Sequence, residues 1–158
     1  MPRIRIELPV HFSFTAAIPI RITDLNYGAH VGNDTVLSLI HEARVQFLAH
    51  FGYTELNLAG VSLIMGDVAI EFKKEIFYGD TVLASVTAAD FSRVGFILYY
   101  KLEKEEKQET NQGGGKRVLL ATAQTGMVCY NYELKKVVSV PEECKTIFSS
   151  RESPGMQG

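Results

Sequence analysis

Residues 35–51 read TVLSLIHEARVQFLAHF, a run with no glycine or proline, built largely of good helix formers. Successive helical residues step by about 100°, which puts Val36, Ile40, Ala43 and Phe47 on one side, with Leu37, Leu39 and Leu48 flanking them. An apolar arc this wide exceeds the single stripe of a surface helix, so the spacing predicts a helix wrapped by other structure. The remaining sector carries Asp34, Ser38, His41 and Glu42, and Glu42 is expected to pair with Arg44, with Arg93 or with strand backbone.

The wrapping has to come from the neighbouring sequence. Ahead of the helix, FTAAIPIRIT, 14–23, is β-branched and apolar and reads as a strand. Behind it, turn residues around Gly52 and Gly60 give way to strand-like runs at 61–72, 81–91, 95–104 and 117–131, punctuated by the turn signals YGD and SRVG. The polar stretch 104–116, ending in three glycines, reads as a hairpin tip. PEECKTIF reads as a short terminal helix, and the polar tail 149–158 as disordered. No second long helix is available for βαβ crossovers. The expected class is therefore α+β, a single domain over residues 1–148 in which an antiparallel sheet curls around one long central helix.

Composition narrows the function. Sixteen basic against eighteen acidic residues, a formal net charge of −2 and no long basic block argue against a general nucleic-acid binder. No run approaches the roughly 18 apolar residues of a membrane span, and MPRIRIELPVHF has no signal-type leader, so the reading is a cytoplasmic protein with no membrane partner. Cys129 and Cys144 are then expected as reduced, buried thiols. No CxxC or HExxH spacing suggests a metal, and no cofactor is implied.

Chemistry concentrates in DLNYGAHVGND, residues 24–34, directly before the helix. A helix start presents unpaired N–H groups and the positive end of its dipole. The backbone amide of Asn33 or Asp34 is thus a candidate to polarise a carbonyl, while side-chain capping by the same residues is the competing reading. Asn26 cannot remove a proton and can only orient a water. Basicity must come from an imidazole or a carboxylate, within this stretch His30 or Asp34. Both also have a structural reading: His30 as a packing residue, Asp34 as a cap. Asp24 is expected to make structural hydrogen bonds.

The order of these features resembles the hotdog-fold thioesterases: Asp24, Asn26, His30-Val31 and Asn33 before a helix containing Glu42-Ala43-Arg44, then a strand ending at Phe72, then the Gly79-Asp80 turn. The resemblance covers roughly residues 14 to 142. In the 4-hydroxybenzoyl-CoA thioesterase type, the second acid of a D-x-D pair is the nucleophile or base, and Asn26 stands there in this chain. In plant acyl carrier protein thioesterases, a similar stretch is joined by a glutamate in E-Y-R-R-E-C. IEFKKEIF is similar to that segment and places Glu75 on the glutamate and His30 on the histidine, while Gly28 and Ile76 replace the asparagine and cysteine. The resemblance thus ranks Glu75 and His30 first as the base and Asp34 next, the competing reading of Glu75 being a solvated strand-end charge beside Lys73 and Lys74.

This resemblance implies a hotdog fold and an acyl-CoA substrate, hydrolysed at a site built between subunits of a homodimer or homotetramer. It also implies a coenzyme contact at Arg93, with Lys73 and Lys74 secondary, and an acyl group lying along the helix against Leu37, Ile40 and residues of VSLIMGD. Two further readings stay open: a non-catalytic acyl-thioester binding protein, motivated by Asn26, and a hotdog hydratase or dehydratase, whose D-x-N-P-x-H motif this chain meets only at Asp24 and Asn26.

Overall fold

A computed structural model describes residues 3–106 and 115–150. The tip of the expected hairpin, 107–114, and the tail from 151 lie outside the described residues. The chain forms β1 (Phe14–Pro19), α1 (Asn33–His50), β2 (Ser62–Phe72), β3 (Thr81–Ala89), β4 (Gly95–Glu106), β5 (Lys116–Asn131), β6 (Lys136–Val137) and α2 (Glu142–Ser149). Every strand pair is antiparallel, in the order β1-β3-β4-β5-β2, with the short β6 beside β5. Because β1 and β2 lie at opposite edges, the helix connecting them has to cross the inner face of the whole sheet.

That crossing explains the breadth of the apolar arc. Val36, Leu39, Ile40, Ala43, Phe47 and Leu48 of α1 share one core with inward residues of the strands, among them Ala16, Val82, Ala84, Val86, Leu98, Leu102 and Ala123. Each large side chain buried there contributes about 1.5–3 kcal/mol of transfer free energy. The wrapping is incomplete, however. Leu37 and Val45 are 37% and 44% exposed, so one face of the helix is left open and polar residues alone do not mark it.

Two expectations about local structure need correction. β1 stops at Pro19, not at residue 23, and a 3-10 turn follows at Ile22–Asp24. Ile20 still donates its N–H to the Asp80 carbonyl at 3.0 Å, after which the Asp24 carboxylate accepts the Arg21 N–H at 2.8 Å and bends the chain. Asp24 thus has the structural role expected of it. Glu42 pairs with none of the expected partners and instead accepts a hydrogen bond from Gln46 Nε2 at 3.0 Å, one helical turn on.

Arg44 turns inward. Its Nε donates to Glu55 at 2.8 Å and its Nη1 to the Tyr100 hydroxyl at 3.3 Å, and that hydroxyl lies 2.8 Å from Thr125 Oγ1. Burial by itself would lower the pKa of the guanidinium, but Tyr100 and Glu55 outweigh it and hold the group above its ordinary value. A buried charge is tolerated only when paired in this way, so the network pins the helix to the middle of the sheet.

Candidate active site

The cap of α1 is Gly32, in extended conformation at φ −72° and ψ 160°, and no side chain caps the helix. Asn33 and Asp34 are already helical, which corrects the reading of either as the cap. The first intrahelical bond runs from the Val36 N–H to the Gly32 carbonyl at 3.1 Å. The amides of Asn33, Asp34 and Thr35 therefore have no intrahelical partner.

The approach to that end is a tight backbone loop. Asn26 donates its N–H to the His30 carbonyl at 2.9 Å, and Ala29 donates to the Asn26 carbonyl at 3.1 Å. Ala29 sits at φ +65°, a left-handed conformation that a residue with a Cβ adopts only when its surroundings hold it there. Within the loop, Asn26 Oδ1 accepts the Gly28 N–H at 2.8 Å. That acceptor position fixes which way the carboxamide faces. Nδ2 then lies on the Gly32 side, 3.6 Å from where a Cβ on Gly32 would stand. His30 Nδ1 is 3.2 Å from the Val31 carbonyl oxygen. The tautomer protonated at Nδ1 satisfies that oxygen and leaves Nε2 as a proton acceptor.

A second segment is joined to this loop through the backbone. After β2 ends, Lys73 and Lys74 both donate their N–H groups to the Leu120 carbonyl, at 2.9 and 3.1 Å. Val31 donates to the Ile76 carbonyl at 2.8 Å, and His30 and Phe77 form an antiparallel bridge. As a result His30, Asn33 and Glu75 line one pocket of about 260 Å³, whose apolar walls include Val31, Val36, Phe72, Ile76 and Leu120. Glu75 is exposed and, among the described residues, its carboxylate has no ion-pair partner; Lys73 pairs instead with Glu71 at 3.0 Å.

The other candidates fall elsewhere. Asn26 and Asp34 do not line the pocket but meet over Gly32, where a Cβ would come 2.7 Å from Asp34 Oδ1. Arg93 is exposed in the turn between β3 and β4, its carbonyl accepting the Val140 N–H at 2.9 Å. Along β4, the stretch from Gly95, beside that turn, leads to Leu102, the partner of Ala121 on the pocket wall. That is roughly 20 Å of strand, so a single protomer does not bring Arg93 to the pocket. The expected acyl wall also changes. Ile40 is fully buried and Leu37 faces outward, whereas Val36, Phe72, Leu120 and Ala121 supply the surface. No local pattern marks Leu120 and Ala121; register across β2 and β5 puts them there.

A larger cavity of about 390 Å³ lies between β1 and the Ser38–Gln46 side of α1. It is lined by Asp24 and Glu42 but by none of the residues singled out for catalysis. Among the described residues, no group of three or more His, Cys, Asp or Glu side chains is placed to hold a metal ion. No helix there is long and apolar enough to cross a membrane. Both cysteines are free and buried.

A family model described as the thioesterase-like superfamily matches residues 20–148. A 1,4-dihydroxy-2-naphthoyl-CoA hydrolase of Microcystis aeruginosa is 29% identical over 122 residues, covering 75% of this chain and 77% of that protein. Among solved structures, a 1,4-dihydroxy-2-naphthoyl-CoA thioesterase from Synechocystis superposes with a TM-score of 0.69 at 24% identity, over 84% of this chain and 93% of that one. The 4-hydroxybenzoyl-CoA thioesterase of a Pseudomonas species gives 0.71 at 15% identity, over 86% and 99%. A thioesterase superfamily protein from Jannaschia gives 0.75 at 17%, over 90% and 85%. At these identities the structural matches establish the fold, which is the hotdog fold.

Proposed function

The chain belongs to the thioesterase-like superfamily, and from that premise we propose that it hydrolyses an acyl-CoA thioester to free acid and thiol in the pocket before α1. One observation carries the reading: backbone pairing of residues 30–31 with 76–77 sets His30 and Glu75 beside the uncapped start of the helix. The thioester carbonyl meets the amide of Asn33 or Asp34, where the charge that develops on oxygen is stabilised. A preorganised donor of this kind is worth about 3 kcal/mol in the transition state. A water approaches the carbonyl carbon from the side of Glu75 and His30, and one of them takes its proton. Collapse of the tetrahedral intermediate expels the thiolate, which recovers that proton. Asn26 cannot take a proton, and its Nδ2–H groups supply orientation near Gly32. Asp34 stays a secondary candidate for the base.

The chemistry needs no cofactor beyond the coenzyme A carried by the substrate. The names of the relatives and the modest pocket support a compact, aromatic acyl group. A homodimer belongs to the same reading, with a homotetramer as the larger alternative. β2 supports it, since it lies at a sheet edge and exposes Met65, Val68 and Phe72. Arg93 then acts on a substrate bound by the other subunit. The free thiols support a cytoplasmic setting. The test is a hydrolysis screen from acetyl-CoA to palmitoyl-CoA with aromatic thioesters included. Turnover of aromatic substrates supports the proposal, and no hydrolysis of any of them overturns it.

A further inference from the structure

Gly79 and Asp80 form the turn ahead of β3, and neither lines the reaction pocket. The turn spans residues 77–80. The Asp80 N–H donates to the Phe77 carbonyl at 3.1 Å, and Gly79, at the third position, takes φ +91°, as a type II turn requires. Asp80 does more than close this turn. Its carboxylate folds back, and Oδ2 accepts the Phe77 N–H at 2.9 Å. Its carbonyl accepts the Ile20 N–H at 3.0 Å, just beyond the last β1–β3 pair, Pro19 with Thr81.

The two segments held in this way are the two that build the site. Ile20 leads through the 3-10 turn into the 24–34 loop. Phe77 is the residue whose backbone bridges His30, next to the Val31–Ile76 hydrogen bond that brings Glu75 to the helix start. Lys104 of β4 fixes the carboxylate in turn, its Nζ lying 3.4 Å from the same Oδ2. A chain of contacts therefore runs from the sheet, through Lys104 and Asp80, to the backbone that sets His30 against Glu75.

We propose that Asp80 is a positioning residue for the reaction, whose carboxylate, by holding the Phe77 amide, fixes where Glu75 stands relative to His30 and the helix amides. This rests on the hydrolase reading above and adds the residue that registers the two halves of its site. Folding stability does not account for the bond. Phe77 is 45% exposed, so water can satisfy its N–H when the carboxylate is removed, and the folding cost is small. Water does not hold the amide in one place, however, and a misplacement of about 1 Å between reacting groups can cost about a hundredfold in rate.

The test is steady-state hydrolysis by Asp80→Ala and Asp80→Asn, on the thioester that the wild type turns over fastest in the screen. Asp80→Ala should lower kcat by about tenfold or more and leave KM within about twofold, with a melting temperature within about 4 °C of the wild type. Asp80→Asn keeps an acceptor for the Phe77 N–H, though a weaker one, and should bring kcat back to within about threefold. Phe148→Leu, at the trailing end of α1, should lower the melting temperature and keep kcat. The inference is overturned if Asp80→Ala keeps its kcat, if Asp80→Asn loses as much as Asp80→Ala, or if Phe148→Leu loses as much as either. If the wild type hydrolyses nothing, the hydrolase reading fails separately, and amide exchange read by NMR decides the role of Asp80. Asp80→Ala should then speed exchange of the Val31 amide by about tenfold and leave the Lys73 amide, bonded to Leu120, unchanged. An unchanged Val31 amide overturns the inference on its own.

Discussion

The two ends of α1 are built on opposite principles. At the trailing end, Phe47 packs edge-on against Phe51 and Phe14 with ring centroids 5.0 and 6.0 Å away, and Phe148 of α2 closes over Phe47 and Phe51 at 5.4 and 5.2 Å. At the leading end there is a glycine cap, a loop held by its own backbone, and a pocket whose polar groups are satisfied sparingly. Aromatic packing at one end holds the helix in place, so the other can leave its amides uncovered without the element fraying. Tight packing and the candidate site are thereby separated along a single rod.

That separation can be broken most forcefully at the sealed end. Phe47→Ala should cost about 3–5 kcal/mol, the range for deleting a buried aromatic ring, and lower the melting temperature by about 10 °C or more. Calorimetry measures the loss, and folded variant assayed well below its midpoint should keep near-native kcat. A kcat that falls with an unchanged melting temperature would show that the two ends are not independent.

At the open end the expectation is reversed. Glu75→Gln or His30→Ala should lower kcat by about a hundredfold for whichever is the base, while thermal melts stay close to the wild type. Asn26→Asp sharpens the contrast, since it keeps the acceptor for the Gly28 N–H but exchanges amide donors near Gly32 for a negative charge. We expect kcat to fall by at least about tenfold. A rise would mean that an acid at this position becomes the base and that Asn26 marks a weakened form of the acid-dependent site.

The smallest effect concerns pH. Burial, with a contribution from Cys144, pushes the Cys129 thiol up to about 11 from its ordinary value near 9. Because the folded protein holds this proton more tightly than the unfolded chain, the associated stability is complete below about pH 9 and lost as pH rises toward about 11. Urea melts at pH 8 and 10.5 should show the decline, and a Cys129→Ala variant should show less of it. A thiol reagent at pH 8 should label neither cysteine until the protein is denatured, which also keeps a thiol-release assay free of background.

Much of the fold was legible in the sequence because it depends on local pattern. The glycine-free apolar run marked the helix to within two residues, and alternating or β-branched runs bounded by turn residues marked the long strands. The cap was misread because Asn33 and Asp34 are good capping residues by chemistry. Backbone pairing of Val31 with Ile76 set the helix start one residue earlier, at Gly32. The strand at 14–23 was read too long because the Asp24–Arg21 bond that bends the chain looks, in one dimension, like any surface pair.

By itself, then, the sequence determined which elements form, in what order, and which residues were candidates for a reaction site, since helix periodicity, strand alternation and side-chain type are properties of short stretches. Tertiary structure alone decided which of those residues meet. His30 and Glu75 are 45 positions apart in the numbering and are joined by the bridge between His30 and Phe77. Leu120 and Ala121 become a wall of the pocket through the pairing of β2 with β5, and Arg93 is carried away from it along β4. The physical reason is that convergence depends on sheet register, which is fixed by how the whole core packs around the helix and is written in no single segment of the chain.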